Sequence, residues 1–392
     1  VSLFPELEYT FKHALTHEVA YSSLLQERRR ALHARIMEAI ERGYPDRLAE
    51  QVEPLAHHAF RAEVWDKALL YLRQAGEKSI GRSANREAIA AYQHALTAAA
   101  HLPETRETLE QAIDLRVLLQ YPLVALGEME RIFDYAREAE ALVQKLVDPL
   151  RRGWVSAFLC QACRNVGQFA EALEHGQRAL AIARELDDPR LAATANYYLG
   201  TTHLYVGKYR QAIQFLLRYT DMPTTRFGDL QGPMVTFSLY YAQQYAWAQG
   251  FASWSFAEIG GFDEAIAHGE ESERAAAALD LQFPRAGAAC FLGFVHVLRG
   301  DLDGAIPLLE RSLEISRAAD LPQSLMLVAS PLGSAYKLLR RIVESIALLE
   351  QGRDMAEPTR NMLVRPLIAA HLGEAYGLAG RTDEAIAVLR HS

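Results

Sequence analysis

The sequence predicts an all-α fold, a solenoid of antiparallel helix pairs wound as a right-handed superhelix. Three observations point there. The stretch Leu292–Ile315, LGFVHVLRGDLDGAIPLLERSLEI, recurs in outline along most of the chain: Leu-Gly, a short apolar helix, a turn residue, a bulky residue and then Ala-Ile. The small residue of the second helix falls at Ala172, Ala212, Ala265, Ala305, Ser345 and Ala385, with gaps of 40, 53, 40, 40 and 40. A fixed period of this length with helix-turn-helix grammar marks an array in which each unit packs only on its neighbours. Finally, 50% of the residues are hydrophobic while Gly (24) and Pro (15) stay near ordinary usage, so the chain is folded and neither disordered nor fibrous.

A net charge of −8, from 41 basic and 49 acidic residues, supports solubility and gives no electrostatic footprint for nucleic acid or an anionic membrane. Three cysteines argue against a disulfide framework and fit a reducing cytoplasm. There is no signal peptide and no apolar run of about 18 residues to span a bilayer. The chain opens at Val1 without a Met and stops at Ser392 within an unfinished helix, which leads us to expect a piece of a longer protein.

Residues 1–45 differ from the rest. Tyr9-Thr10-Phe11 reads as a short strand, Leu15, Val19, Ala20, Leu24 and Leu25 recur with helical spacing, and a second helix over Glu27–Arg42 ends at Gly43-Tyr44-Pro45. Phe11-Lys12-His13-Ala14-Leu15, Glu18-Val19-Ala20-Tyr21, Arg29-Arg30 and Leu32-His33 carry a resemblance. Residues 9–41 resemble the segment closing the winged-helix-like module behind the nucleotide-binding domain in bacterial class III adenylate/guanylate cyclases with a signal-transduction (STAND/AAA-like) ATPase. The resemblance covers about a tenth of the chain and implies an upstream ATPase domain in cis.

Residues 46–150 read as degenerate helical repeats. Helices are expected at Leu48–Ala62, Trp65–Gly81 and Asn85–Ala99, then, after a break at Pro103, near Thr108–Leu126 and Glu130–Leu146. From 151 to 392 the repeats are regular. Gly167-Gln168-Phe169 with Glu171-Ala172-Leu173, Leu199-Gly200 with Gly207-Lys208-Tyr209, Gly260-Gly261-Phe262, Leu292-Gly293, Leu332-Gly333 and Leu372-Gly373 resemble tetratricopeptide repeats. About seven or eight units are expected, and the period of 40 against the familiar 34 implies longer helices or linkers. The 53-residue gap predicts a long loop over Thr220–Asp229.

No phosphate-cradling Gly-x-x-x-x-Gly-Lys-Ser/Thr, no Gly-x-Gly-x-x-Gly and no paired metal-binding acidic residues of a cyclase are present, so no catalytic residue, cofactor or metal is expected. Cys160 and Cys163 lack a second ligand pair and read as small packing residues. His57 and His58, about 100° apart on a helix, are not expected to face one metal. His203 and His296 hold a position that Tyr336 and Tyr376 occupy later, which makes them packing residues. Arg28, Arg29 and Arg30 read as a solvated basic turn.

Phe237–Phe256 is richest in aromatics and covers more than one helical face. Offsets taken from Gly200 mark a stripe that, in proteins resembling tetratricopeptide arrays, lines the concave groove. Its candidate binding residues are Trp154, Arg164, Tyr197, Thr201, Tyr240, Trp247, Trp254, Phe294 and Lys337, with Gln161 and Ser334 beside them. Either these rings pack inside a tight superhelix or they capture a protein, peptide or small effector. The function expected is a non-catalytic, cytoplasmic binding arm that regulates the upstream ATPase or cyclase, touching neither nucleic acid nor membrane. The sensor arm of an ATPase-linked transcriptional activator and a free-standing scaffold are the alternatives.

Overall fold

The structure, a computed structural model, describes residue 19, residues 21–221 and residues 236–390, with side chains from 241 onward in the last stretch. Tyr9–Phe11 and the greater part of the expected loop lie outside the described residues, though Thr220 closes a helix. Eighteen α-helices follow one another, with no strand among the described residues. They are α1 (Gln26–Gly43), α2 (Val52–Ala62), α3 (Trp65–Gly81), α4 (Asn85–Ala100), α5 (Arg106–Leu126), α6 (Met129–Val143), α7 (Pro149–Asn165), α8 (Phe169–Glu185) and α9 (Pro189–Tyr205). Then come α10 (Tyr209–Thr220), α11 (Thr236–Glu258), α12 (Phe262–Leu279), α13 (Gln282–Arg299), α14 (Leu302–Ala318), α15 (Pro322–Leu338), α16 (Ile342–Ala356), α17 (Arg365–Leu378) and α18 (Thr382–Arg390). None is long and apolar enough to cross a membrane.

The chain forms two compact units, Val1–Lys78 with Ala90–Glu104 and Ser79–Ile89 with Thr105–Ser392. In the first, Met37, Leu55 and Ala59 are buried, the Trp65 ring stacks on His101 at 4.2 Å, and Glu41 accepts from Lys67 at 2.7 Å and Tyr71 at 2.6 Å. The expected start of α2 at Leu48 is corrected: Pro45–Arg47 forms a 3-10 turn and the α-helix begins at Val52. Proline fixes its own φ and suits a first turn, so the chain reverses before the longer helix starts.

In the second unit the helices and turns account for the 40-residue period. Helices of 15 to 18 residues alternate from α12 to α16, joined by turns of two or three residues. Longer helices rather than longer linkers therefore set the period. The Leu-Gly pair has a steric cause. A Cβ on Gly200 would lie 2.8 Å from Leu216 Cγ, and the same sixteen-residue spacing brings Gly293 to Leu309 (2.7 Å), Gly333 to Leu349 (2.6 Å) and Gly373 to Leu389 (2.9 Å). Only glycine lets the two helices of a pair meet there with leucine between them.

Two repeats exchange the partners. Cys160 and Ser253 occupy the glycine position, and the leucine position becomes Gly176 and Gly269, where an added Cβ would lie 3.0 Å from the Sγ or Oγ above it. The leucine of the next repeat's Leu-Gly fills the remaining space, with Leu199 2.6 Å from the Gly176 Cβ position and Leu292 2.7 Å from that of Gly269. Volume is conserved across the pair rather than residue by residue.

The turn inside each pair requires a left-handed residue. Gly260, Gly300 and Gly380 have φ of 82°, 84° and 76°, whereas the equivalent Arg340 has φ 63°. A side chain in that region costs roughly 1 kcal/mol. Arg340→Gly should raise stability by about that amount in a urea melt; a fall would show that the Arg340 side chain contributes more than its backbone costs.

Candidate functional site

The helices of the second unit coil back far enough for separate repeats to touch. The Met362 N–H donates to Asn165 O at 3.0 Å, Asn361 Nδ2 donates to Gln323 Oε1 at 2.7 Å, and Arg360 pairs with Glu130 at 3.2 Å. A Cβ on Gly127 would meet Met326 Cε at 2.6 Å. Across the closure the latch therefore rests on one hydrogen bond, from Met362 to Asn165, on close packing and on an exposed ion pair worth about 0–1 kcal/mol, while the Asn361–Gln323 bond joins neighbouring repeats.

Behind it lies a cavity with a water-accessible volume of about 80 Å³. Its apolar walls are Tyr197, Tyr205, Trp247, Phe251, Phe283 and Leu327; its polar groups are Arg164, Asn165 and the amides of Gln120, Gln161, Gln243, Gln244 and Gln323. Helix order produces this mixture. The inner helices α7, α9, α11, α13 and α15 are buried nearly all round, so polar residues on them face the interior.

Arg164 sits in the last turn of α7 and is 5% exposed. Its guanidinium donates to Thr201 Oγ1 and to Asn165 Oδ1 (2.9 Å) and lies 5.9 Å from the Tyr205 ring centroid. No carboxylate among the described residues pairs with it. Arg164 Nε, Gln161 Oε1, Asn165 Nδ2 and Gln243 Oε1 are buried with no partner among the described residues. Each such group costs about 1–3 kcal/mol. Burial pushes the Tyr205 hydroxyl up to about 12, with Arg164 opposing the shift, so the phenol stays neutral as a donor.

The sequence-derived candidates separate into three groups. Arg164, Tyr197 and Trp247 come together at this cavity, where the Trp247 ring lies 4.9 Å from Phe283 and 5.4 Å from Phe291. Trp254 and Phe294, 5.4 Å apart and edge to face, line a second cavity with Cys290, Met326 and His371. Trp154, Thr201 and Lys337 line neither cavity. Trp154 packs against the core, Thr201 is fully buried and donates to Tyr197 O at 3.1 Å, and Lys337 is ion-paired with Glu374. Tyr240 lies in α11, and its side chain is outside the described residues. Sequence reasoning missed Gln120, Asn165, Gln243, Gln244 and Gln323; the signal was a run of carboxamides on otherwise apolar helices.

Cys160, Cys163 and Cys290 are buried, and burial pushes the Cys160 thiol up to about 11 and Cys163 to about 12. All three are therefore held as neutral packing thiols. His203 is buried and stacks on Phe215 at 5.3 Å, while His296 Nδ1 pairs with Asp301 at 2.8 Å. One expectation is corrected. His57 and His58 leave their helix in different directions, yet their ring nitrogens converge on His33, because the side-chain torsions turn both rings toward α1.

Residues 154–224 match the tetratricopeptide repeat family. The solved structure of the Rap conjugation gene regulator of plasmid pLS20 with the Phr* peptide is similar at a TM-score of 0.61 and 14% identity, covering 78% of this chain and 76% of that one. The fold is a tetratricopeptide-like solenoid. NprR in complex with its cognate peptide NprX is similar at a TM-score of 0.55 and 14% identity, over 80% of this solenoid chain and 86% of that chain. A signal transduction ATPase with numerous domains carrying a tetratricopeptide repeat sensor, from Pyrococcus horikoshii, is similar at 0.51 and 12% identity, over 96% of this chain and 54% of that one. In sequence, 144 residues, 37% of the chain, are 30% identical to an uncharacterized protein of Rhizobium meliloti (strain 1021), and they span 14% of that protein's length.

Proposed function

We propose that the chain is the ligand-binding regulatory arm of a signalling protein, and that its interior cavity takes a short peptide bearing a carboxylate. The observation that carries this reading is Arg164, a buried cation with no counter-ion among the described residues, set beside Gln161, Asn165 and Gln243, each of which has one carboxamide atom buried without a partner there. A buried charge is costly unless paired, and a carboxylate accepts from a guanidinium with shorter, stronger hydrogen bonds than a neutral group. Carboxamides offer a donor and an acceptor each, which suits a peptide backbone. The Rap regulator and NprR, similar in fold, are each solved with a peptide bound.

The cavity is well below the roughly 300–1,000 Å³ of ordinary ligand sites, so a peptide enters only if the latch between α7 and residues 361–362 opens. The ligand then has different affinities for closed and open forms, and that difference is the free energy available for regulation. We assign the output to an ATPase domain in cis, of the cyclase-linked kind that residues 9–41 resemble; the likeness to the STAND sensor supports the same arrangement. The role is binding rather than catalysis, in a cytoplasmic setting.

The reading is tested by nucleotide turnover of the longer parent protein in the presence of short carboxylate-bearing peptides. Turnover should respond in the wild type and stay fixed in Arg164→Met. Equal turnover with the arm present, mutated or deleted would overturn the regulatory role.

A further inference from the structure

The first unit carries a histidine cluster that the peptide reading leaves unused. His33 of α1 is 8% exposed, His58 of α2 is half-buried and His57 is exposed. One ring nitrogen of each lies within 4.8 Å of the other two. Ring centroids are 5.7 Å apart for His33 and His57, 5.0 Å for His33 and His58, and 5.2 Å for His57 and His58. His33 Nδ1 and His58 Nδ1 are 2.7 Å apart and share one hydrogen, while the Tyr21 hydroxyl is 2.9 Å from His33 Nε2.

Three rings this close resist protonation. Burial and then the neighbouring His33 and His57 push His58 down to about 4. His33 is lowered by burial, then by His57 and Arg61, and His57 by burial and Arg61. None of the three pairs with a carboxylate among the described residues. At neutral pH each ring therefore carries an available lone pair, the form in which imidazole binds a metal.

We propose that His33, His57 and His58 form a three-histidine site for a divalent transition-metal ion of the zinc type. Imidazole suits such ions, and three protein ligands leave a fourth position for water or an anion on the exposed side of His57. Arg61, the nearby cation, favours an anion there. Zinc–nitrogen bonds of about 2.0–2.1 Å in tetrahedral geometry set ligand nitrogens about 3.3 Å apart, so His33 and His58 separate by a few tenths of an ångström. The hydrogen they share moves to the far nitrogen of its own ring. On His33 that is Nε2, which then donates to the Tyr21 oxygen, so the tyrosine fixes the tautomer from the outer shell. The ion ties α1 to α2 across residues 44–51.

The test uses the full chain with Co²⁺ and then Zn²⁺ as probes. One equivalent of Co²⁺ should bind with the visible bands of a low-symmetry, four- or five-coordinate ion and be displaced by Zn²⁺. His33→Gln and His58→Gln should each weaken Zn²⁺ binding by at least about ten-fold, and Tyr21→Phe by about ten-fold or less. Circular dichroism reports folding; should either buried variant unfold, His57→Gln, whose ring is exposed, takes its place with the same expectation. Cys163→Ser, in the separate cluster with Glu171 and His175, should leave binding unchanged. Failure of the wild type to bind Co²⁺ and Zn²⁺, binding that survives the histidine variants, or binding lost in Cys163→Ser would each overturn the site. Peptide capture in the second unit should be unaffected by any of these outcomes.

Discussion

Arg164→Met is expected to make the free chain more stable and blind to its ligand in the same step. The wild-type guanidinium is 5% exposed and has two hydrogen-bonded side-chain partners but no carboxylate among the described residues. Replacing a buried charge with an apolar side chain of similar length is often stabilising by about 1–4 kcal/mol even where the charge is paired. That range already includes the loss of the charge's own hydrogen bonds, here those to Thr201 and Asn165. Thr201 Oγ1 keeps its bonds to Tyr197 O and Tyr198 O, so little is left orphaned there. A net gain of about 1–2 kcal/mol, or roughly 2–4 °C in melting temperature, is the expected result. Calorimetry checks it: a melting temperature that falls would mean that Arg164 holds α7 to α9 and is structural. The same variant should lose carboxylate-peptide binding by at least about 30-fold, the equivalent of about 2 kcal/mol for truncating one side of a buried charged contact.

The second large effect concerns the exchanged packing pairs. Leu309→Gly removes a fully buried side chain and adds helix-interior glycine, for an expected loss of about 4 kcal/mol. Gly293→Ser places atoms 2.7 Å from Leu309 Cγ, for about 1–3 kcal/mol. The double variant reproduces the Ser253–Gly269 pair of the preceding repeat, in which Ser253 Oγ donates to Ala265 O at 2.6 Å. Its loss should be smaller than the sum of the singles by at least about 1 kcal/mol, measured as a coupling energy from denaturant melts. Additive losses would mean that the two positions do not share one volume.

Much of this architecture was legible because a repeat writes the same steric requirement many times. Ala172, Ala212, Ala265, Ala305 and Ser345 are all fully buried, and the expected Trp65–Gly81 and near-exact Asn85–Ala100 helices follow from apolar spacing closed by turn residues. The exchange at Cys160 and Ser253 was not legible as packing, because the compensating glycine lies sixteen residues away and is invisible to a search for one residue type at one position. The interior site was half legible. Arg164, Tyr197 and Trp247 share a stripe that helical offsets reveal, but their meeting with Gln120 and Gln323 at one cavity depends on how far the helices coil back, which no local pattern encodes. The histidine cluster was missed for a related reason: helical direction predicts where Cβ atoms point, whereas ring nitrogens are placed by torsions and by the partner helix.

The claim that the interior selects a carboxylate-bearing peptide is tested most directly by affinity selection. The full chain is mixed with an equimolar pool of pentapeptides with free C-termini and, separately, with an amidated pool lacking Asp and Glu. Unbound peptides are removed by gel filtration and the retained ones identified by mass spectrometry. Retention of free-carboxylate peptides by the wild type, with none held from the amidated pool and none by Arg164→Met, is the predicted result; equal retention from both pools, or by both proteins, would contradict it.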